Sequence, residues 1–524
     1  MHFIFAVLFA AAAAAPALDP GLGALHWKVS TRDAKAQAYF DQGMKYVYAF
    51  NHQQAVRSFN EAARRDPALA MGYWGAALAL GPNINMDVDP DREKQAYDAV
   101  HAAAQHLGGA SQKERDLVAA LAKRYTNDPQ ADLKKLAADY SKAMGALAKK
   151  YPADDDVAVL YAESIMDLHP WKFWSHDGKP SEGTEAAIAQ LQSVLARNPN
   201  HLGANHYLIH LLEASPHPER AADAAQRLPK LAPAAGHLVH MPAHVYERTG
   251  DYAGAAAANE RAADVDRDFI KKNGGENVYA MMYYNHNLQF AAASHAMIGS
   301  FDAAMKNANE IAGNVAPMLK EMPPLEIAAA YPVQILTRFG RWNDVLKTKP
   351  VEAGPLSAAL WLYAHGSALA QLGNVSGARA DRKAMEPWLA KLTDDTGMLQ
   401  NSYKGVGALA AQVLDGRIAI AEGRTSDGIA ALEKAVAMED QLDYDEPPDW
   451  WNPTRETLGA ALLRAGRGAD AERVFRDDLA RNRNNPRSLY GLAQALQAQK
   501  KDAAKTTAAF RAAWKGAALT VADY

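Results

Sequence analysis

One spacing governs what this chain can fold into: small and aromatic residues recur at helical intervals in a frame that returns several times. It shows first as Gly43-x2-Tyr46, Ala55, Phe59, Ala62 and Pro67. It returns at Gly250-Asp251-Tyr252, Ala255 and Ala262, then at Gly299, Phe301 and Ala304, and again at Leu458-Gly459, Gly466, Ala471 and Phe475. Beyond residue 30 the sequence reads as one Ala- and Leu-rich helix after another, joined by short Gly, Asp or Pro turns, with little strand-like alternation. Small residues let two helices touch as a hairpin, and each hairpin leaves apolar faces that only a neighbouring hairpin can cover. The expected fold is therefore all-α: a stack of helix–turn–helix units, some degenerate, with a concave groove.

The frame resembles the tetratricopeptide repeat, a 34-residue helix–turn–helix unit with small residues at the helix crossing. Tyr48–Asn85, "LHPWKFW" (Leu168–Trp174), "GANHYLIHLLEAS" (Gly203–Ser215) and "GHLVHMPAHVYERTGDY" (Gly236–Tyr252) look like a group of large bacterial tetratricopeptide proteins. Asp449–Gly466 is a further echo. The resemblance implies a TPR-like solenoid and carries no activity with it. Asn83–Asp91 and Lys271–Asn277 read as loop insertions, and Lys347–Pro355 as a break between two blocks of repeats, residues 27–345 and 356–524.

Composition narrows the function. With 56 basic against 60 acidic residues and a net charge of −4, the chain has no electrostatic footprint for nucleic acid. Cysteine is absent, so disulfides, thiolate metal sites and Cys nucleophiles are excluded. Phe3–Ala15 is an uncharged apolar run too short to span a bilayer, and it ends in Ala15-Pro16-Ala17, a small-x-small pattern. Residues 1–17 are expected to be a signal peptide, and the protein exported, periplasmic or secreted. No later stretch reads as a membrane span.

No Gly-x-Ser-x-Gly elbow, phosphate-binding loop, dinucleotide fingerprint or His-Glu-x-x-His is present, and no organic cofactor is indicated. Histidine stands out instead: 11 of 17 fall between residues 169 and 295. His206-x3-His210-x2-Glu213 recurs as His240-x3-His244-x2-Glu247, every member 34 residues on, which is one repeat period. The i, i+4, i+7 spacing places each set on one helix face. Setting Gly250-Asp251-Tyr252 at the turn puts His237, His240, His244 and Glu247 on concave positions, and Ala243 and Tyr246 on packing positions. The repeat framed by Gly299 places His286 and Gln289 on the same concave row, and His295 in the core.

Four histidines and two glutamates, flanked by His237 and His286, should thus converge on one patch of the groove. Imidazole is the commonest protein metal ligand, and His at i, i+4 can share one ion. A donor set of nitrogen and oxygen without thiolate suits a divalent Zn, Cu, Fe or Ni ion, and Met241, Met281 and Met282 keep copper in view. Two metals bridged or steadied by Glu213 and Glu247 would also fit. Repeat duplication alone offers a plainer account, a polar groove binding a peptide. Two functional classes remain open at this point. One is a binding scaffold holding a metal, a small-molecule ligand, or a protein or peptide partner. The other is a metal-dependent hydrolase or oxidoreductase with Glu213 or Glu247 as general base.

Of the remaining features, His169-Pro170-Trp171-x2-Trp174 could cap the groove with aromatic surface, although a packed corner accounts for it as well. Asp449-Trp450-Trp451 reads as a corner too. Asp154-Asp155-Asp156 should open a helix, and His52, His201 and His217 suit turns and caps.

Overall fold

The computed structural model describes residues 15–274, 279–395, 397, 400–520 and 524. The apolar run expected to be a signal peptide lies outside them, except for Ala15, Pro16 and Ala17. The described residues are all-α: 26 α-helices and no strand, with isolated bridges only at Asn83–Met86 and Trp174–Pro180. They form helix–turn–helix units, most helices packing on the next along the chain. No described helix is long and apolar enough to cross a membrane.

The small residues of the repeat frame do what the spacing requires. In the first hairpin, helix Ala34–Val47 crosses His52–Arg65, and a Cβ on Gly43 would lie 2.5 Å from the Phe59 ring. The following helix, Ala70–Leu80, meets the same ring at Gly75, where a Cβ would lie at 2.3 Å. Phe475 is clasped in the same way between Gly459 and Gly491, at 2.5 and 2.2 Å. A buried phenyl ring thus sits between two bare helix backbones, 16 residues before and after it in both places. Gly250 and Gly299 end their helices with φ of 85° and 84°, the left-handed conformation that glycine adopts without steric cost. N-caps start the helices: Asp33 accepts from the backbone N–H of Lys35 and Ala36, Asn51 from Gln54 and, as expected, Asp154 from Val157.

The chain divides into two compact units. One runs to Val245 and takes up Arg261–Tyr284; the other comprises Tyr246–Glu260 and Asn285–Tyr524. Lys347–Pro355, expected to separate two blocks, instead joins helices Trp342–Val345 and Pro355–Gln371, which pack on each other inside the second unit. Trp361 Nε1–H donates to Thr348 Oγ1 at 2.9 Å and Val345 is fully buried, so this connection is tied down and does not act as a linker. The loop expected at Lys271–Asn277 also begins later: helix Tyr252–Asn273 continues through its first three residues. In the second unit, buried Glu456 lies between Arg338 (3.2 Å) and Arg487 (2.7 Å), so its charge is paired on both sides.

The glycine–phenyl contact gives a test with two signs. Gly75→Ala is expected to cost about 1–3 kcal/mol, because the new methyl overpacks against Phe59. Gly313→Ala, in a helix where an added Cβ meets nothing within 4 Å, should gain roughly 0.5–1 kcal/mol. Urea midpoints that shift the same way in both variants would contradict this packing.

Candidate metal centre

Helix Leu202–Glu213 is buried on every side, so each polar group on it must find a partner inside the first unit. It starts at His201, whose Nδ1 accepts from the backbone N–H of Ala204 at 3.2 Å, the capping role expected of it. His206, His210 and Glu213 follow along one face. The second set begins on the short helix Gly236–His240, which ends before Pro242 opens Pro242–Thr249. Proline has no N–H to continue the hydrogen-bond ladder, so the helix breaks between His240 and His244. His237 is fixed from behind: its backbone N–H donates to Tyr279 Oη (3.0 Å), and Tyr279 O–H donates to buried Asp266 (3.0 Å). Glycine at 236 leaves room for this carboxylate: a Cβ there would lie 1.9 Å from Asp266 Oδ1 and would force the Asp266 side chain to shift.

Five histidines of this unit form one continuous cluster. His206 and His237 face each other Nε2 to Nε2 at 3.0 Å, and His240 and His244 do so at 2.8 Å. Ring centroids of neighbouring members lie between 4.6 Å for His240–His244 and 5.8 Å for His210–His237. One ring nitrogen from each of His206, His210 and His237 lies within 4.8 Å of the others, a grouping able to hold a metal ion. The tautomers follow from the partners. His206 Nδ1–H donates to the Tyr48 carbonyl at 2.7 Å. His210 and His244 turn their Nδ1 atoms to the two oxygens of Glu213, at 3.1 and 2.8 Å. All three therefore carry a lone pair on Nε2, and His210 Nε2 is buried with no hydrogen-bond partner.

An open groove was expected to carry these residues; the structure buries them, His206, His210, His237, His240 and His244 being at most 2% exposed. The cover is aromatic. Phe50 packs against His206 (centroids 4.6 Å), His237 (5.4 Å) and His210 (5.6 Å), Tyr283 against His237 (4.7 Å), and Trp171 edge-on to His210 (6.0 Å). Phe50 and Trp171 have φ of 55° and 63°, a left-handed conformation that costs a bulky side chain energy. His237, expected at the margin, stands at the centre. Glu247 and His286 belong to the second unit: Ser294 Oγ–H reaches Glu247 at 3.5 Å, and His286 lies against Phe290. His295, expected in the core, is half-buried and pairs with Glu260 at 3.2 Å. Trp450 and Trp451 are corner residues, packed on Tyr363 and Tyr331. Tyr48, Phe50, Asp266 and Tyr279 carried no signal in the sequence, because their contacts to the histidines are long-range.

Burial and charge act together on the site. Burial pushes the Glu213 carboxyl up, but His244 and His210 outweigh it and hold the group down at about 2. Burial drives His206 well below the usual imidazole value and lowers His210 as well; it takes His52, beside Arg92, to about 3. A folded state that keeps imidazoles neutral binds fewer protons than the unfolded chain below pH 6.5. The stability from these groups is present above that pH and lost as the pH falls through and below it. Urea midpoints of metal-stripped protein are expected to fall from pH 7.5 to pH 5.5, and His52→Gln, which removes one such group outside the cluster, to lessen the fall. A flat profile in the wild type would contradict neutral burial.

No family model matches the chain, and no curated protein matches it. Among solved structures it is similar to the human IFIT1 dimer with m7Gppp-AAAA (TM-score 0.36, 11% identity, 92% of this chain and 90% of that one). It is also similar to yeast Tom70 (0.31, 11%, 90% and 90%) and to the TPR domain of P58(IPK) (0.22, 12%, 89% and 99%).

Proposed function

We propose that the first unit is a metal-binding module, holding one first-row divalent ion on the Nε2 atoms of His206, His210 and His237, within a protein otherwise built as a binding scaffold. The observation that carries this reading is the buried Nε2 of His210, a lone pair without a partner beside two further imidazole nitrogens. Two nitrogens bound at 2.0–2.1 Å to one ion lie roughly 2.9–3.4 Å apart, and His206 and His237 are already spaced at 3.0 Å. Hydrogen bonds from Nδ1 to a carbonyl or carboxylate are the usual way a protein orients a metal-ligating histidine. His206 has the Tyr48 carbonyl for this, and His210 has Glu213. Three neutral imidazoles suit zinc best, with copper and iron as the nearest competitors.

The same geometry assigns Glu213 a positioning role. Both of its oxygens accept from imidazole Nδ1, so it is poorly placed as a metal ligand or as a general base. A peptide in the groove has no access to histidines this deeply buried. Three protein ligands do leave a coordination position open, which favours ligand exchange or catalysis at the ion over a purely structural role. His206, His210, His237 and Trp171 fall in Leu168–Trp174, Gly203–Ser215 and Gly236–Tyr252, the segments that resemble large bacterial tetratricopeptide proteins, and we infer that the site is a feature of such proteins. Export, to the periplasm or beyond, rests on the apolar start of the sequence, Phe3–Ala15.

Elemental analysis of protein purified without an affinity tag is expected to find one equivalent of metal, lost in His206→Ala/His237→Ala. Absence of metal after reloading with Zn, Cu and Fe would overturn the reading. Glu213→Gln offers one acceptor and one donor to two Nδ1–H groups, forcing one imidazole into the wrong tautomer. Metal affinity measured by chelator competition should fall about 10–100-fold, and an unchanged affinity would remove Glu213 from its positioning role.

A further inference from the structure

The loop after helix Asp155–Met166 carries a second orphaned polar atom beside the first. Trp171 Nε1–H is buried without a hydrogen-bond partner, and its ring stands edge-on to His210, whose Nε2 is the other orphan. A buried N–H without an acceptor carries a desolvation cost, and at Trp171 it coincides with a left-handed backbone that a bulky side chain adopts only at further cost. The loop is also anchored to the histidine helix. Trp174 Nε1–H donates to the carbonyl of Leu211, the residue after His210, at 2.7 Å, and Ser181 N–H donates to the Phe173 carbonyl at 2.9 Å. Trp171 is therefore held in place with a donor and no acceptor.

Resting on the metal reading above, we propose that the open coordination position takes a small carboxylate-type anion, with one oxygen on the ion and the second accepting from Trp171 Nε1–H. Charge selects an anion: three neutral imidazoles and one shared carboxylate, Glu213, leave a divalent ion with net positive charge in an interior from which water is excluded. Size selects a small one, because Phe50 and Tyr283 close over the same rings. A two-oxygen planar anion satisfies at once the ion and the indole N–H, which are both left unanswered by the protein. Formate, acetate and bicarbonate share this chemistry, and their relative affinities identify the natural size.

The test uses the full chain loaded with cobalt(II), titrating the visible bands with formate, acetate and bicarbonate at fixed pH. Saturable spectral change is expected in the wild type. In Trp171→Phe the cobalt content should be unchanged and the dissociation constant raised about 10-fold, the loss of one hydrogen bond to a charged acceptor. Independently of any variant, the indole N–H resonance of Trp171 in the zinc form should move downfield with the same dissociation constant. Equal affinities in the two proteins, or an indole resonance that stays still while the cobalt bands shift, would overturn the role of Trp171. Cobalt that binds but answers no anion would overturn the anion site alone. Failure to take up any metal would remove the reading on which it rests.

Discussion

Burying helix Leu202–Glu213 on all faces is the constraint from which the first unit's chemistry follows. A buried helix of this kind is ordinarily apolar all round, yet this one carries two imidazoles and a carboxylate at i, i+4 and i+7. Each must be neutralised or hydrogen-bonded inside the protein, since leaving one unanswered costs about 1–3 kcal/mol. Glu213 meets this demand by accepting from imidazoles on two helices, His210 on its own and His244 on the next. That double acceptance fixes both tautomers and turns both Nε2 lone pairs inward. His210 Nε2, left without a hydrogen-bond partner, is thereby aimed at its neighbours.

The fold was legible because its determinants are local and repeat. Gly43 and Phe59, or Gly459 and Phe475, lie 16 residues apart, and a ring between two bare backbones can be read from that spacing. The histidine cluster was legible for a related reason, since the 34-residue offset places His210 and His244 in neighbouring helices, where Glu213 does join them. The finer geometry was not. His206 meets His237, 31 residues on, and not its 34-residue counterpart His240. Pro242 ends the first short helix after His240 and changes the course of the chain, which simple repeat counting does not anticipate.

What covers the site was beyond the sequence altogether. Tyr48 and Phe50 lie in the turn of the first hairpin, some 158 residues from His206, and nothing in their spacing announces a partner. The spacing predicts a shared face for His206, His210 and Glu213, but whether such a face is open depends on which distant turn folds over it. Lys347–Pro355 failed as a boundary for the same reason: its Pro and Gly read as a linker, whereas Trp361 and Thr348 tie it down through a contact visible only in three dimensions.

The metal-free geometry carries the last step. His206 with His237, and His240 with His244, are held by N–H···N hydrogen bonds in which one imidazole of each pair lends a proton to the other's lone pair. These bonds set nitrogens 2.8–3.0 Å apart, near the spacing that one ion would impose. An ion replacing the shared proton would need little rearrangement of the backbone, because Tyr48, Glu213 and Tyr279 already fix the rings and the main chain behind them. The order of the cluster is thus supplied by folding, in hydrogen bonds on the sides of the imidazoles that face away from the centre. On the inner sides the nitrogens answer one another or, at His210 Nε2, nothing, so that an ion would displace only exchangeable protons from rings already oriented, which is what preorganisation requires.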